Sequence, residues 1–406
     1  MNSIKLNSSI ALLYLFIAAS LGIILRLFPI ANINATYRYI IHTHSHVALL
    51  GWVYVALTTI IYHFGIDKNK KKKYTIIFWS TQITIIGMLL TFPFIGYALY
   101  SIIFSTLFII CSYWFYFFFK KNHSFDTTKI SYKFISTALL FMLFSSIGPW
   151  ALGIIMNTLG ATSHWYKNAI YFYLHFQYNG WFIFCLIGIF FFILEKKKIE
   201  FSESKATLFY RLLTLSCIFT LFLSFLWIKP TTIIYVFAAI GAILQLISFR
   251  LFYTLIKNLK NKLVSIFGKF NFKILQFILI LFLIKISMQA LSNLPYFSKI
   301  TYTYLDFVIG YLHLTFLGIV TLTILVFLNN FKIILLPKIW IRIYLLGFIT
   351  SEILIFYKGT CIWLQVNYLE NYYLYLVIVS SFIPISILGI FSTTIFKNYS
   401  TLQESL

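Results

Sequence analysis

Charge is scarce in this chain. Of its 406 residues only 10% are charged and just nine are acidic, whereas 61% are hydrophobic and 21% aromatic. No water-soluble domain of this length keeps such a surface in solution, which excludes a soluble enzyme and a secreted domain. Cysteine is scarce as well. Cys111, Cys185, Cys217 and Cys361 are scattered, with no CxxC and no paired spacing, so neither a disulfide framework nor a zinc knuckle is indicated. Proline is thin: only Pro93, Pro149 and Pro384 fall inside apolar runs where they could break a helix. No Gly/Ser linker or low-complexity tail is long enough to act separately, so residues 1–406 are expected to form a single transmembrane domain.

What is there instead is apolar length. Runs of about 18 or more residues, each sufficient to cross roughly 30 Å of hydrocarbon as a helix, fall near 8–28, 38–64, 75–95, 98–119, 134–157 and 169–194. The second half adds runs near 211–228, 232–256, 274–292, 303–328, 340–357 and 372–395. The fold class expected is therefore all-α and polytopic, with about twelve spans. The stretch from Ile10 to Leu25 has the small residues Ala18, Ala19 and Ser20 of a signal peptide, but eleven spans follow it, and it is read as an uncleaved first helix.

The net charge of +23 is distributed in short clusters between these runs rather than along one surface, which points to membrane topology and away from nucleic acid. Of 32 Lys and Arg, 24 fall in alternate loops and at the two ends: Lys68 with Lys70 to Lys73, Lys120 to Lys133, Lys196 to Arg211, Lys257 to Lys273, Lys332 to Arg342, and Lys5 and Lys397. The opposite loops carry six. The positive-inside rule then puts both termini in the cytoplasm, in a bacterial-type inner (plasma) membrane.

Ionisable groups inside spans are costly and mark the place to look for function. His63, His123 and His164 lie in loops or at a span end, where solvation accounts for them. His42, His44 and His46 fall in span 2, His175 in span 6 and His313 in span 10. Three of these share the pattern H-x-x-x-x-G, ending at Gly51, Gly180 and Gly318, at intervals of 129 and 138 residues, or four spans each time. That spacing indicates three four-helix repeat units with preserved orientation. At 100° per residue, His42 and His46 share a helix face and His44 points nearly opposite. Neutral imidazole is the commonest metal ligand and an axial ligand of haem iron, so His42, His46, His175 and His313 are the candidate metal ligands. A single buried His, however, often only hydrogen-bonds a neighbouring carbonyl or hydroxyl.

Other polar groups accompany them. Lys285 and Gln289 lie one turn apart in span 9, Asp306 two turns above His313, and Glu352 within span 11. Together they are candidates for a proton or anion path, or for structural ion pairs. Arg26 and Arg38, at the outer ends of spans 1 and 2, could clamp haem propionates or anchor to lipid headgroups.

The segments HSHVALLGW (44–52), YLHFQYNGW (173–181) and YLHLTFLG (311–318) resemble the pattern of the haem-copper oxidase catalytic subunit superfamily and its NnrS-like relatives. The resemblance implies twelve helices in three arcs, with His46 and His313 as axial ligands of a haem and His175 as a copper ligand. The chain departs from the pattern in having no histidine pair in span 7 and one histidine where span 10 of the oxidases has two. What it then implies is a single haem or metal site with no complete copper centre, in respiratory redox or nitric-oxide-related metabolism, with an electron-donor protein or a quinol as partner. No catalytic residue is assigned. The competing expectations are a proton-coupled transporter using the intramembrane histidines, although transporter repeats are usually inverted, and an accessory subunit with no ligand.

Overall fold

A computed structural model describes the chain from Ser3 to Gln403. The side chains of Lys68 and Lys397, both in the charge count above, lie outside the described residues. Twelve helices are long and apolar enough to cross a membrane: α1 (Ser3–Leu27), α2 (Tyr37–Gly65), α3 (Lys71–Ile95), α4 (Leu99–Asn122), α5 (Ile130–Thr158), α6 (His164–Lys196), α7 (Glu203–Ile228), α8 (Thr232–Lys257), α9 (Lys260–Ser292), α10 (Leu305–Asn330), α11 (Lys338–Trp363) and α12 (Tyr372–Ile395). No strand occurs among the described residues, only an isolated bridge between Ile66 and His123. The protein is an all-α polytopic membrane protein, as the hydropathy predicts.

α2, α6 and α10 are the most enclosed spans, and α1, α7 and α8 have the smallest buried share. With lipid as solvent, backbone groups must be satisfied within each helix, and side chains such as Ile83, Leu90, Phe94, Phe117 and Ile154 remain exposed as lipid-facing surface.

The described chain divides into two compact units. One comprises residues 1–124 with 324–406, the other residues 125–323, so the border falls inside α10. Within each unit the first helix of a repeat packs on the second through the motif glycine. A Cβ on Gly51 would stand 2.8 Å from the Tyr14 ring of α1, and one on Gly180 2.7 Å from Phe141 of α5. The same helix-on-helix relation thus recurs four spans apart.

Three local features depart from the hydropathy reading. A short connecting helix, Pro295–Thr303, joins α9 to α10. α9 begins well before its apolar run, and its lysine-rich first part is set off by Gly268, whose φ of 76° interrupts the helix. α5 is interrupted at Ser146, between helical segments Ile130–Ser145 and Ile147–Thr158, with Pro149 in the first turn of the second segment, where its missing N–H costs nothing.

Candidate functional site

α2, α6 and α10 share a further irregularity. Each starts as an α-helix and passes into a π-helical stretch: Val47–Tyr54, Phe176–Phe182 and Leu314–Thr321. The residue immediately before the change is His46, His175 and His313 respectively. No proline lies near the histidine motifs, and the irregular turns sit on the motifs without one. Wide turns of this kind inside α-helices are concentrated at functional sites, and these three occupy equivalent positions in the three repeat units.

In the first unit, Arg38, His42 and His46 are spaced by four and line one stripe of α2. His46 Nδ1 lies 2.8 Å from the carbonyl oxygen of His42. A carbonyl only accepts, so Nδ1 carries the proton and Nε2 presents its lone pair. Nε2 accepts from the Tyr97 hydroxyl at 3.3 Å. The edge of Tyr97 also meets the His42 ring at 4.6 Å, and Phe92 lies 4.5 Å from His46. Tyr97 is held there by Gly96, which ends α3 with φ 58° and whose missing side chain leaves room for the Tyr39 ring. Arg38 is exposed in the first turn of α2 and acts electrostatically on His42. His44 points the other way, as the helical angle predicts: its Nδ1 donates to the Ala18 carbonyl of α1 at 2.8 Å, with Gly22 giving its ring space.

Glu352 of α11, 7% exposed, interacts electrostatically with Arg26 of α1 in the same unit. Arg38, by contrast, is the arginine on the histidine stripe.

In the second unit, His175 and Lys285 belong to one buried polar cluster. His175, 5% exposed, donates from Nε2 to the Cys217 carbonyl of α7 at 2.8 Å and accepts at Nδ1 from the Asn179 amide at 3.2 Å. Asn179 Oδ1 accepts from Lys285 Nζ at 2.6 Å, and Gln289 Oε1 accepts from the same nitrogen at 2.9 Å. Alongside, Gln177 donates to Ser145 of α5 at 2.9 Å. Lys285 and Gln289 thus meet as their one-turn spacing predicts. Lys285 is bonded to amides rather than to Asp306 or Glu352, which lie in the first turn of α10 and in the other unit. His313 is half-buried at the end of the α-helical part of α10.

These geometries separate the histidines by what they could hold. Ligating imidazoles typically donate their second N–H to a backbone carbonyl or carboxylate, which fixes ring and tautomer. His46 has that arrangement, with Nε2 directed at a weakly placed hydroxyl, and it fits an axial haem ligand. His175 does not fit a copper ligand as it stands, because both ring nitrogens are engaged by protein groups. Among the described residues no three or more His, Cys, Asp or Glu side chains gather into a metal cage, whereas axial haem ligation requires only one or two imidazoles. Sequence reasoning misses Tyr97, Gly96, Asn179 and Cys217. Asn179 could have been found, since it lies four residues beyond His175 on the same face, but Cys217 enters through its backbone and leaves no trace in residue type.

The chain matches no family model and no curated protein.

Proposed function

We propose that this chain is an integral membrane haem-binding protein on the plan of the haem-copper oxidase catalytic subunit, serving respiratory redox or nitric-oxide-related chemistry without a complete copper centre. The observation that carries this reading is the placement of His46, His175 and His313, each at the last residue before a π-helical stretch. A packing accident accounts for one such coincidence and poorly for three at equivalent repeat positions.

His46 is the ligand with the strongest support, its Nδ1 anchored to the His42 carbonyl. His313, in the second unit, stays a candidate on the family resemblance alone, and His175 is left out of the set. Arg38, above His42 on the same stripe, is suited to neutralise a propionate. Bound haem would supply an iron that exchanges electrons or takes up a diatomic gas. The protein's part is to hold and orient: His42 fixes the His46 tautomer, and Phe92 and Tyr97 wall the ring. The residence proposed is a bacterial-type inner membrane, with a quinol or an electron-donor protein as partner. Haem extraction from the purified chain tests the reading. About one haem per chain is expected, and protein purified from haem-replete cells without any would refute it.

A further inference from the structure

Lys285 is an unusual side chain for the interior of an apolar span. It is 0% exposed within a transmembrane helix, and its polar partners are two amide oxygens with no carboxylate between them. The Phe282 and Tyr311 rings complete its surroundings, at 5.8 and 5.5 Å from Nζ. An ammonium has three N–H donors, and the two amides use two of them.

Beside Lys285 is a cavity of about 10 Å³, bounded among others by Asn179, Cys217, Gln245 and Phe282. Gln245 of α8 is 4% exposed, and its Oε1 is buried with no protein partner. Leaving a buried amide oxygen unsatisfied costs about 1–3 kcal/mol. The cavity is at the lower limit of the space that holds one water, and a buried water needs two to four polar partners to be stable. Lys285 offers a donor, Gln245 an acceptor, and the Cys217 thiol a weak third contact.

We propose that this cavity is an internal hydration site. One water accepts the third N–H of Lys285 and donates to Gln245 Oε1, completing a chain from α8 through Lys285 and Asn179 to His175. Each link fixes the next. Lys285 claims Asn179 Oδ1, which turns the Asn179 amide nitrogen toward His175 Nδ1, which leaves the His175 proton on Nε2 for the Cys217 carbonyl. The water and Gln245 therefore act as positioning groups for His175, independently of any cofactor bound in the other unit.

The test is nuclear magnetic resonance on the full chain in lipid nanodiscs, with ¹⁵N-labelled lysine and histidine. In the wild type, one buried lysine Nζ signal, absent in Lys285→Met, should receive magnetisation from water, and His175 should show a protonated Nε2 with an unprotonated Nδ1. Gln245→Leu should abolish the water contact and shift the His175 signals, and Gln245→Glu, which keeps an acceptor, should restore both. A wild-type Lys285 without water contact would overturn the hydration site, and that reading needs only the assignment from Lys285→Met. Loss of the water contact in Gln245→Leu with unchanged His175 signals would overturn the positioning role.

Discussion

The histidines of this protein are distinguished by their partners more than by their position in a motif. His44 donates to α1 and serves packing, His46 keeps a lone pair available, and His175 is committed at both nitrogens. His175→Ala would remove the partner of Asn179 Nδ2 and the shorter side-chain bond to the Cys217 carbonyl, and should destabilise the folded protein by about 1–3 kcal/mol while leaving haem content unchanged. Thermal unfolding in detergent together with haem extraction checks both halves. Gly96→Ala should reach the haem as well. Its φ of 58° and the Tyr39 ring against it oppose any side chain, so Tyr97 should move and the spectrum of haem held by His46 should change. At this scale much is legible beforehand: the shared face of His42 and His46, the opposed His44 and the Lys285–Gln289 contact all follow from helical angle. The state of each ring is not, because it depends on the carbonyls of Ala18, His42 and Cys217, and backbone groups are the same in every residue.

Among the elements, the three π-helical stretches set this protein apart from a plain bundle of apolar helices. Hydropathy gives every span to within a few residues at most ends, because lipid demands an apolar run of fixed length. It cannot give a wide turn, since one added residue per turn leaves the run equally apolar. Nor does it show that the lysine-rich stretch ahead of the α9 run is itself helical. The motif glycines, by contrast, are readable as close approaches. Gly51→Ala and Gly180→Ala should each cost about 1–3 kcal/mol through overpacking against Tyr14 and Phe141. Gly153→Ala, which meets nothing within 4 Å, should be near neutral. Melting temperatures of the three variants in the same detergent decide it: equal values would mean the repeat glycines carry no packing role.

For the whole molecule, the sequence prescribes twelve crossings and an orientation, and both can be read without knowing the function. All four native cysteines are buried, so single introduced cysteines report cleanly. Asn34→Cys should react with a membrane-impermeant maleimide in intact cells, and Lys72→Cys only after lysis. The reverse pattern would invert the topology and move the outer ends of α2 and α6 to the cytoplasm. Above this stands the proposal that His46 holds a haem, and the most direct measurement is the reduced-minus-oxidised visible spectrum of the purified protein beside its His46→Ala variant. The wild type should show a Soret band that the variant lacks although it remains folded. A wild-type spectrum without that band, or a band untouched by loss of His46, would contradict the account.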